Sequence, residues 1–164
     1  MKFLAAAVQM LASSDKAANL DEASRWVRAA AMQGARLVAL PEVFIWRGKK
    51  SDERKSAEPI PGPTSQELAR LARERGIYLL GGSILEEIPG GEKAYNTSLL
   101  FGPKGELLAS YRKIHLFDVD LAQGVSLRES ATRAFGSSMV VAETELCRMG
   151  LTVCYDLRFP ELYR

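Results

Sequence analysis

Two nearly continuous apolar runs, KFLAAAVQM at residues 2–10 and RLVALP at residues 36–41, flank one amphipathic stretch, and this spacing constrains the chain more than any other feature. Between them Leu20, Ala23, Val27 and Ala30 recur at helical spacing while Asp21, Arg25 and Arg28 fall elsewhere. Residues 15–33 therefore read as a helix, with Gly34 just past its end. Ser14 or Asp15 could cap its start, and Asn19-Leu20-Asp21-Glu22 also reads as a capping box. The apolar runs suit buried strands, the first of them near a sheet edge. Strand, helix and strand joined by short connections form a parallel pair with a right-handed crossover, so the expected fold class is α/β.

The second strand ends at Pro41-Glu42. A carboxylate just past the C-terminal end of a parallel strand sits where open α/β sheets place working groups, although a glutamate after a proline is also an ordinary surface residue. Residues 43–63 form a long irregular segment holding Phe44, Trp46, a basic cluster and four prolines or glycines in close succession, the composition of a binding loop. Thr64-Ser65-Gln66-Glu67 is a capping box, and a helix follows through Leu68, Leu71 and Ala72 to Gly76. Three strands without intervening helices come next, at residues 77–85, 94–101 and 106–113. Turns at Pro89-Gly90-Gly91 and Gly102-Pro103-Lys104-Gly105 make this portion antiparallel. Gly81-Gly82 permits a bulge or a close backbone approach. Lys113 closes the third strand and opens the loop IHLFDVDLAQG; it is either a snorkelling surface lysine or an ammonium aimed at the region of Glu42. Residues 139–144 and 150–155 read as a last hairpin, the second arm delivering Cys154 to a sharp turn.

Composition narrows the function classes. At 164 residues, with 47% hydrophobic and 26% charged residues, the chain is expected to form one domain, 1–164, with a real core and no extensive disorder. A net charge of +2 with a single basic cluster, Arg47 to Lys50 continued by Arg54 and Lys55, reads as a solvated loop and implies no nucleic-acid partner. Cys147 and Cys154 are too far apart for a CxxC pair, and one histidine leaves no metal site implied. The sequence shows no apolar stretch of spanning length and no leader pattern, so no membrane partner is expected and a reducing cytoplasm is the default compartment.

Cys154 taken alone is as well read as a small core hydrophobe as a nucleophile near a helix N-terminus. Three strand ends taken together change this: the glutamate of LPEVF, the lysine of YRKIHLFDVD and the cysteine of GLTVCYDLRFPELYR. In this order and wording they resemble the nitrilase (carbon-nitrogen hydrolase) superfamily, and YRKIHLFDVD and CYDLRFPELY resemble its branch of omega-amidases and deaminated-glutathione amidases. The GARLVALPE strand and the YNTSLLFGPKGE hairpin extend the resemblance over essentially the whole chain.

The resemblance implies a four-layer α-β-β-α sandwich and a Glu-Lys-Cys triad of Glu42, Lys113 and Cys154. Cys154 would attack an amide carbonyl, giving a thioester with loss of ammonia, and Glu42 would serve as general base. Lys113 and the backbone N–H of Tyr155 would face the developing oxyanion, the lysine also favouring the thiolate. Glu129 of LRES matches a second glutamate that would position Lys113 or the substrate amide. The substrate expected is a small carboxylic acid omega-amide whose carboxylate meets Arg and Lys side chains at the mouth of the site; no cofactor is implied, and a full-length protein would be a homo-oligomer. Leu121-Ala122-Gln123-Gly124 departs from the family's proline-glycine step, and the family continues well beyond its nucleophile, so the C-terminal part of the sandwich is expected to be missing here. Two other readings follow from the residues. One is a non-catalytic truncated piece acting by association; the other is a cysteine hydrolase pairing Cys154 with His115.

Overall fold

A computed structural model describes residues 2–122 and 124–164; Gln123, in the departing loop, lies outside the described residues. Strands β1 (Leu4–Ala7), β2 (Ala35–Ala39) and β3 (Tyr78–Leu80) lie side by side in parallel, joined through helices α1 (Lys16–Met32) and α2 (Pro63–Arg75). The short strand β4 (Ile84–Glu87) follows β3, and the two occupy successive parts of one edge of β5 (Ala94–Phe101), both antiparallel to it. On the other edge of β5 lie β6 (Leu107–Arg112), antiparallel, and β9 (Arg133–Ala134), parallel, completing a seven-stranded sheet. Two hairpins stand apart from this sheet: β7 (Asp118–Leu121) with β8 (Val125–Arg128), and β10 (Val141–Glu143) with β11 (Arg148–Gly150). A four-residue helix, α3 (Pro160–Tyr163), ends the chain.

Strand alternation sorts the core into two layers of contact. Val38, Leu79, Leu99 and Phe101 meet Ala23 and Val27 of α1 and Leu68, Leu71 and Ala72 of α2. Leu100 and Tyr111, pointing the opposite way, pack with Ala142, Leu151 and Val153 beside the β10–β11 hairpin. Helices thus cover one sheet face, while the other carries the segment that leads to Cys154.

Several local expectations need correction. Asp15 caps α1 by accepting from the Ala18 N–H at 3.0 Å; Asn19 lies inside the helix and uses its side chain elsewhere. The start of α2 is not the Thr64 capping box. Pro63 takes the first helical position, where no N–H is needed, and the buried Glu58 accepts from both the N–H and the hydroxyl of Thr64 at 2.9 Å. Strand β1 is an exposed edge rather than a buried strand, with Leu4 53% exposed. The loop expected after Lys113 contains the β7–β8 hairpin, and the segment 43–63 is only partly a loop: residues Val43, Phe44, Ile45 and Trp46 are buried in the core, and Lys50–Ser56 winds into 3₁₀ turns.

The expected strand 77–85 is broken at Gly81-Gly82-Ser83, where Gly82 has φ +54° and a Cβ would stand 2.0 Å from the Pro41 carbonyl oxygen. The break exists because the backbone after β2 presses against it. Gly82→Ala should therefore lower the chemical-denaturation stability by roughly 2 kcal/mol or more. Gly34→Ala, at φ +89° with open space around it, should cost about 1 kcal/mol. Equal losses at the two positions would contradict the close approach.

Candidate active site

The Gly82 break fixes the glutamate. Ser83 donates its N–H to the Pro41 carbonyl at 3.3 Å and accepts the Val43 N–H on its hydroxyl at 3.1 Å, clamping the turn that carries Glu42. Val43 holds a left-handed φ of +48°, which a β-branched residue adopts only when its surroundings enforce it. Asn19 completes the clamp from α1, donating to the Ile45 carbonyl at 2.8 Å. The Glu42 carboxylate then receives the Asn96 amide N–H at 2.7 Å and the Lys113 ammonium at 3.0 Å, both on Oε1.

Lys113 follows β6 directly. Its N–H donates to the Asn96 carbonyl, and its own carbonyl accepts from Gly136, both at 2.9 Å. The side chain is 2% exposed, so this is not a snorkelling lysine. A lone buried ammonium costs several kcal/mol, and here two carboxylates offset that cost: Glu42, and Glu129 at 3.0 and 3.3 Å. Burial alone would lower the lysine's pKa, but Glu42 and Glu129 outweigh it and hold it above its ordinary value. Burial likewise opposes ionisation of Glu129. The Phe117 N–H at 2.7 Å, Lys113 and Arg133 overcome this and keep its pKa low. Arg133 continues to Glu53, which also accepts from the Thr132 hydroxyl at 2.6 Å. The site thus contains a chain of alternating charge running Glu42, Lys113, Glu129, Arg133, Glu53.

Cys154 arrives by a shorter strand than expected. Ladder pairing in β11 stops at Gly150; beyond it Leu151 and Val153 are buried, the Leu151 N–H is bonded to the Val140 carbonyl at 3.0 Å, and Val153 is extended. At Cys154 the backbone turns to φ +49° and enters the 3₁₀ segment Cys154–Arg158. Such a conformation costs a non-glycine residue about 1–3 kcal/mol, and it aims the thiol into the cavity that Glu42, Lys113 and Glu129 also line. Partial burial, and after it the negative charge of Glu42, which accepts a hydrogen bond from the thiol, push the Cys154 pKa up, with Lys113 opposing. The resting group is therefore a thiol beside a carboxylate. Lys113 does favour the thiolate, as expected, but partial burial and the Glu42 carboxylate outweigh it.

Tyr155 is the second residue of the 3₁₀ segment, where the first N–H groups have no partner within the turn, and its ring packs edge-on against Phe117 and Phe159. His115 is engaged elsewhere. Its Nδ1 lies 2.8 Å from Asp156 and its ring stacks on Phe159, with centroids 3.6 Å apart, so its partner is Asp156 and not the thiol. Cys147 is exposed on the turn between β10 and β11. The cavity holds about 390 Å³, and its wall includes Trp46, Phe117 and Leu127. Arg47 and Lys50, expected to be merely solvated, also line it.

Sequence reasoning missed Asn96 and Asp156. Each carries a signal in the sequence: an amide among the strand residues YNTSLLF, and an acid two residues past the cysteine.

A strand-end glutamate, a buried lysine and a strained cysteine on a mixed sheet define a class, and comparison with known proteins agrees. The carbon-nitrogen hydrolase family matches residues 4–164, and the chain belongs to that family. Omega-amidase NIT2 of Homo sapiens is 47% identical over 160 residues, covering 98% of this chain and 57% of the human one. Among solved structures, Saccharomyces cerevisiae Nit3, a member of branch 10 of the nitrilase superfamily, superposes with a TM-score of 0.80 at 37% identity, covering 94% of this chain and 56% of that one. An amidase variant from Nesterenkonia sp. AN1, with acrylamide added to its active-site cysteine, gives a TM-score of 0.79 at 29% identity over 95% of this chain and 59% of that one. The mixed α/β fold is that of the nitrilase superfamily, and the chain spans a little over half the length of the curated relatives it matches.

Because Glu42 raises the thiol pKa, Glu42→Gln should move the pH profile of Cys154 alkylation by iodoacetamide to lower pH. A profile unmoved, or moved upward, would show that the carboxylate does not face the thiol.

Proposed function

We propose that the chain carries the catalytic half-site of an amidase that hydrolyses the omega-amide of a small carboxylic acid through a cysteine thioester. The observation that supports this reading most is the sharing of one buried ammonium by Glu42 and Glu129 beside a thiol that Glu42 can deprotonate. Glu42 removes the thiol proton as sulfur attacks the amide carbon. The oxyanion forms near the Lys113 ammonium and the Tyr155 N–H, donors whose positions are set before reaction begins. The tetrahedral adduct expels ammonia, its nitrogen taking the proton that Glu42 holds, and leaves the acyl group on sulfur. Water then adds to the thioester with Glu42 again accepting a proton; collapse releases the carboxylic acid and returns the thiol. Glu129 stays ionised throughout and holds Lys113 in place. No cofactor is needed for these steps.

The charge of the cavity favours a substrate with a distal carboxylate. Among the lining cations, Arg128 is held by both oxygens of Asp120, and Arg133 by Glu53 and Glu129. Arg47 and Lys50 make hydrogen bonds only to backbone carbonyls, those of Glu42 and Arg128, at 3.4 and 2.7 Å among the described residues. Their charges are available to a carboxylate at the mouth.

A role by association alone draws on the apolar side chains left open, Leu4, Leu107 and Val141 among them. Rapid alkylation of Cys154 in residues 1–164 favours the enzyme reading, and a thiol no more reactive than Cys147 favours association.

For the full-length protein, Cys154→Ala should abolish ammonia release from short omega-amides. Arg47→Ala should raise KM about tenfold for an amide bearing a distal carboxylate and leave a neutral amide of the same length unchanged. Ammonia release by Cys154→Ala at the parental rate would remove the amidase reading, and equal KM changes for both amides would remove the carboxylate contact.

A further inference from the structure

Asp156 is fully buried, lines no part of the cavity, and has no part in the chemistry just described. Its two oxygens nevertheless collect four hydrogen bonds from both sides of the site. Oδ2 accepts the Val153 N–H at 2.9 Å, one residue before the nucleophile, and the Tyr111 hydroxyl at 2.6 Å, two residues before Lys113. Oδ1 accepts the His115 N–H at 3.0 Å, two residues after Lys113, and lies 2.8 Å from His115 Nδ1. The Asp156 N–H returns to the Val153 carbonyl at 3.1 Å, closing the turn from both ends around Cys154 at φ +49°. The Tyr111 hydroxyl, while donating to Asp156, also accepts the Ile114 N–H at 3.2 Å.

We infer that Asp156 is a positioning residue: one carboxylate brackets Lys113 on β6 and its following loop, brackets Cys154 on its turn, and so fixes the distance between ammonium and thiol. This rests on the amidase reading of the site. Three facts argue against a simple filling role. A fully buried acid is costly unless each oxygen is satisfied, and every donor here comes from a segment adjoining Lys113 or Cys154. The contact from Val153 holds a backbone conformation that an L-residue does not adopt unaided. Finally, no hydrogen bond joins the Cys154 turn to β6 through backbone alone among the described residues, so the side chain of Asp156 supplies the link.

Asparagine at this position keeps the volume but replaces one acceptor with a donor, which the Val153 and His115 N–H groups cannot both accommodate. In the full-length protein, Asp156→Asn should lower kcat at least about tenfold with KM within about twofold, because substrate binding is untouched while the reacting groups separate. The same variant should slow iodoacetamide alkylation of Cys154 in parallel, with circular dichroism unchanged. Tyr111→Phe, which removes one donor and keeps the ring, should lower both rates by a smaller factor in the same pattern, and it decides the matter if Asp156→Asn does not fold. Parental kcat and alkylation rate in a folded Asp156→Asn, or in Tyr111→Phe where that variant alone folds, would overturn the inference, as would a loss confined to KM. If the parental protein releases no ammonia, the amidase reading fails, while the ratio of alkylation rates still decides whether Asp156 sets the thiol.

Discussion

A lysine with 2% of its surface exposed is the constraint around which this structure closes. An ammonium can be taken from water only where opposite charge and hydrogen-bond acceptors meet it, and the chain brings two carboxylates to Lys113 from different places: Glu42 from the end of β2 and Glu129 from beyond the β7–β8 hairpin. Each is held in turn. Glu42 is oriented by Asn96 and by a clamped turn, Glu129 by a backbone N–H and by Arg133, which leans on Glu53. Charge alternates along the row, so no member stands uncompensated, and removing one leaves each neighbour with one opposite charge fewer.

The same row accounts for the state of the nucleophile. The Lys113 ammonium favours the thiolate, but partial burial and, after it, the Glu42 carboxylate outweigh it and keep the proton on sulfur. The Glu42 carboxylate therefore stands beside a protonated thiol.

Much of this architecture was legible in the sequence where a single physical rule decides the outcome. Apolar runs either side of a 3.6-residue pattern gave the parallel pair, and turn residues gave the antiparallel remainder. The site residues Glu42, Lys113, Glu129 and Cys154 came from strand-end positions and from family resemblance, and the structure brings all four to one cavity. What was not legible depends on contacts between distant segments. Periodicity does not show that Gly82 must pass within reach of Pro41, that Glu58 would replace the capping box of α2, or that Asn96 would use its side chain on Glu42 and its carbonyl on Lys113. Strand lengths were overestimated at residues 2–10 and 150–155, where apolar composition continues but ladder partners do not. The thiol's protonation also escaped, because it turns on burial and on the nearness of Glu42, which together outweigh Lys113.

The claim that joins these observations is that Cys154 is the atom to which the acyl group is transferred. Rapid-quench mass spectrometry of the full-length protein mixed with a short omega-amide tests it directly. The account predicts a transient acyl adduct on the peptide containing Cys154, formed as ammonia appears and cleared by hydroxylamine. Ammonia release with no adduct on that peptide, or with an adduct on Cys147 instead, would contradict it.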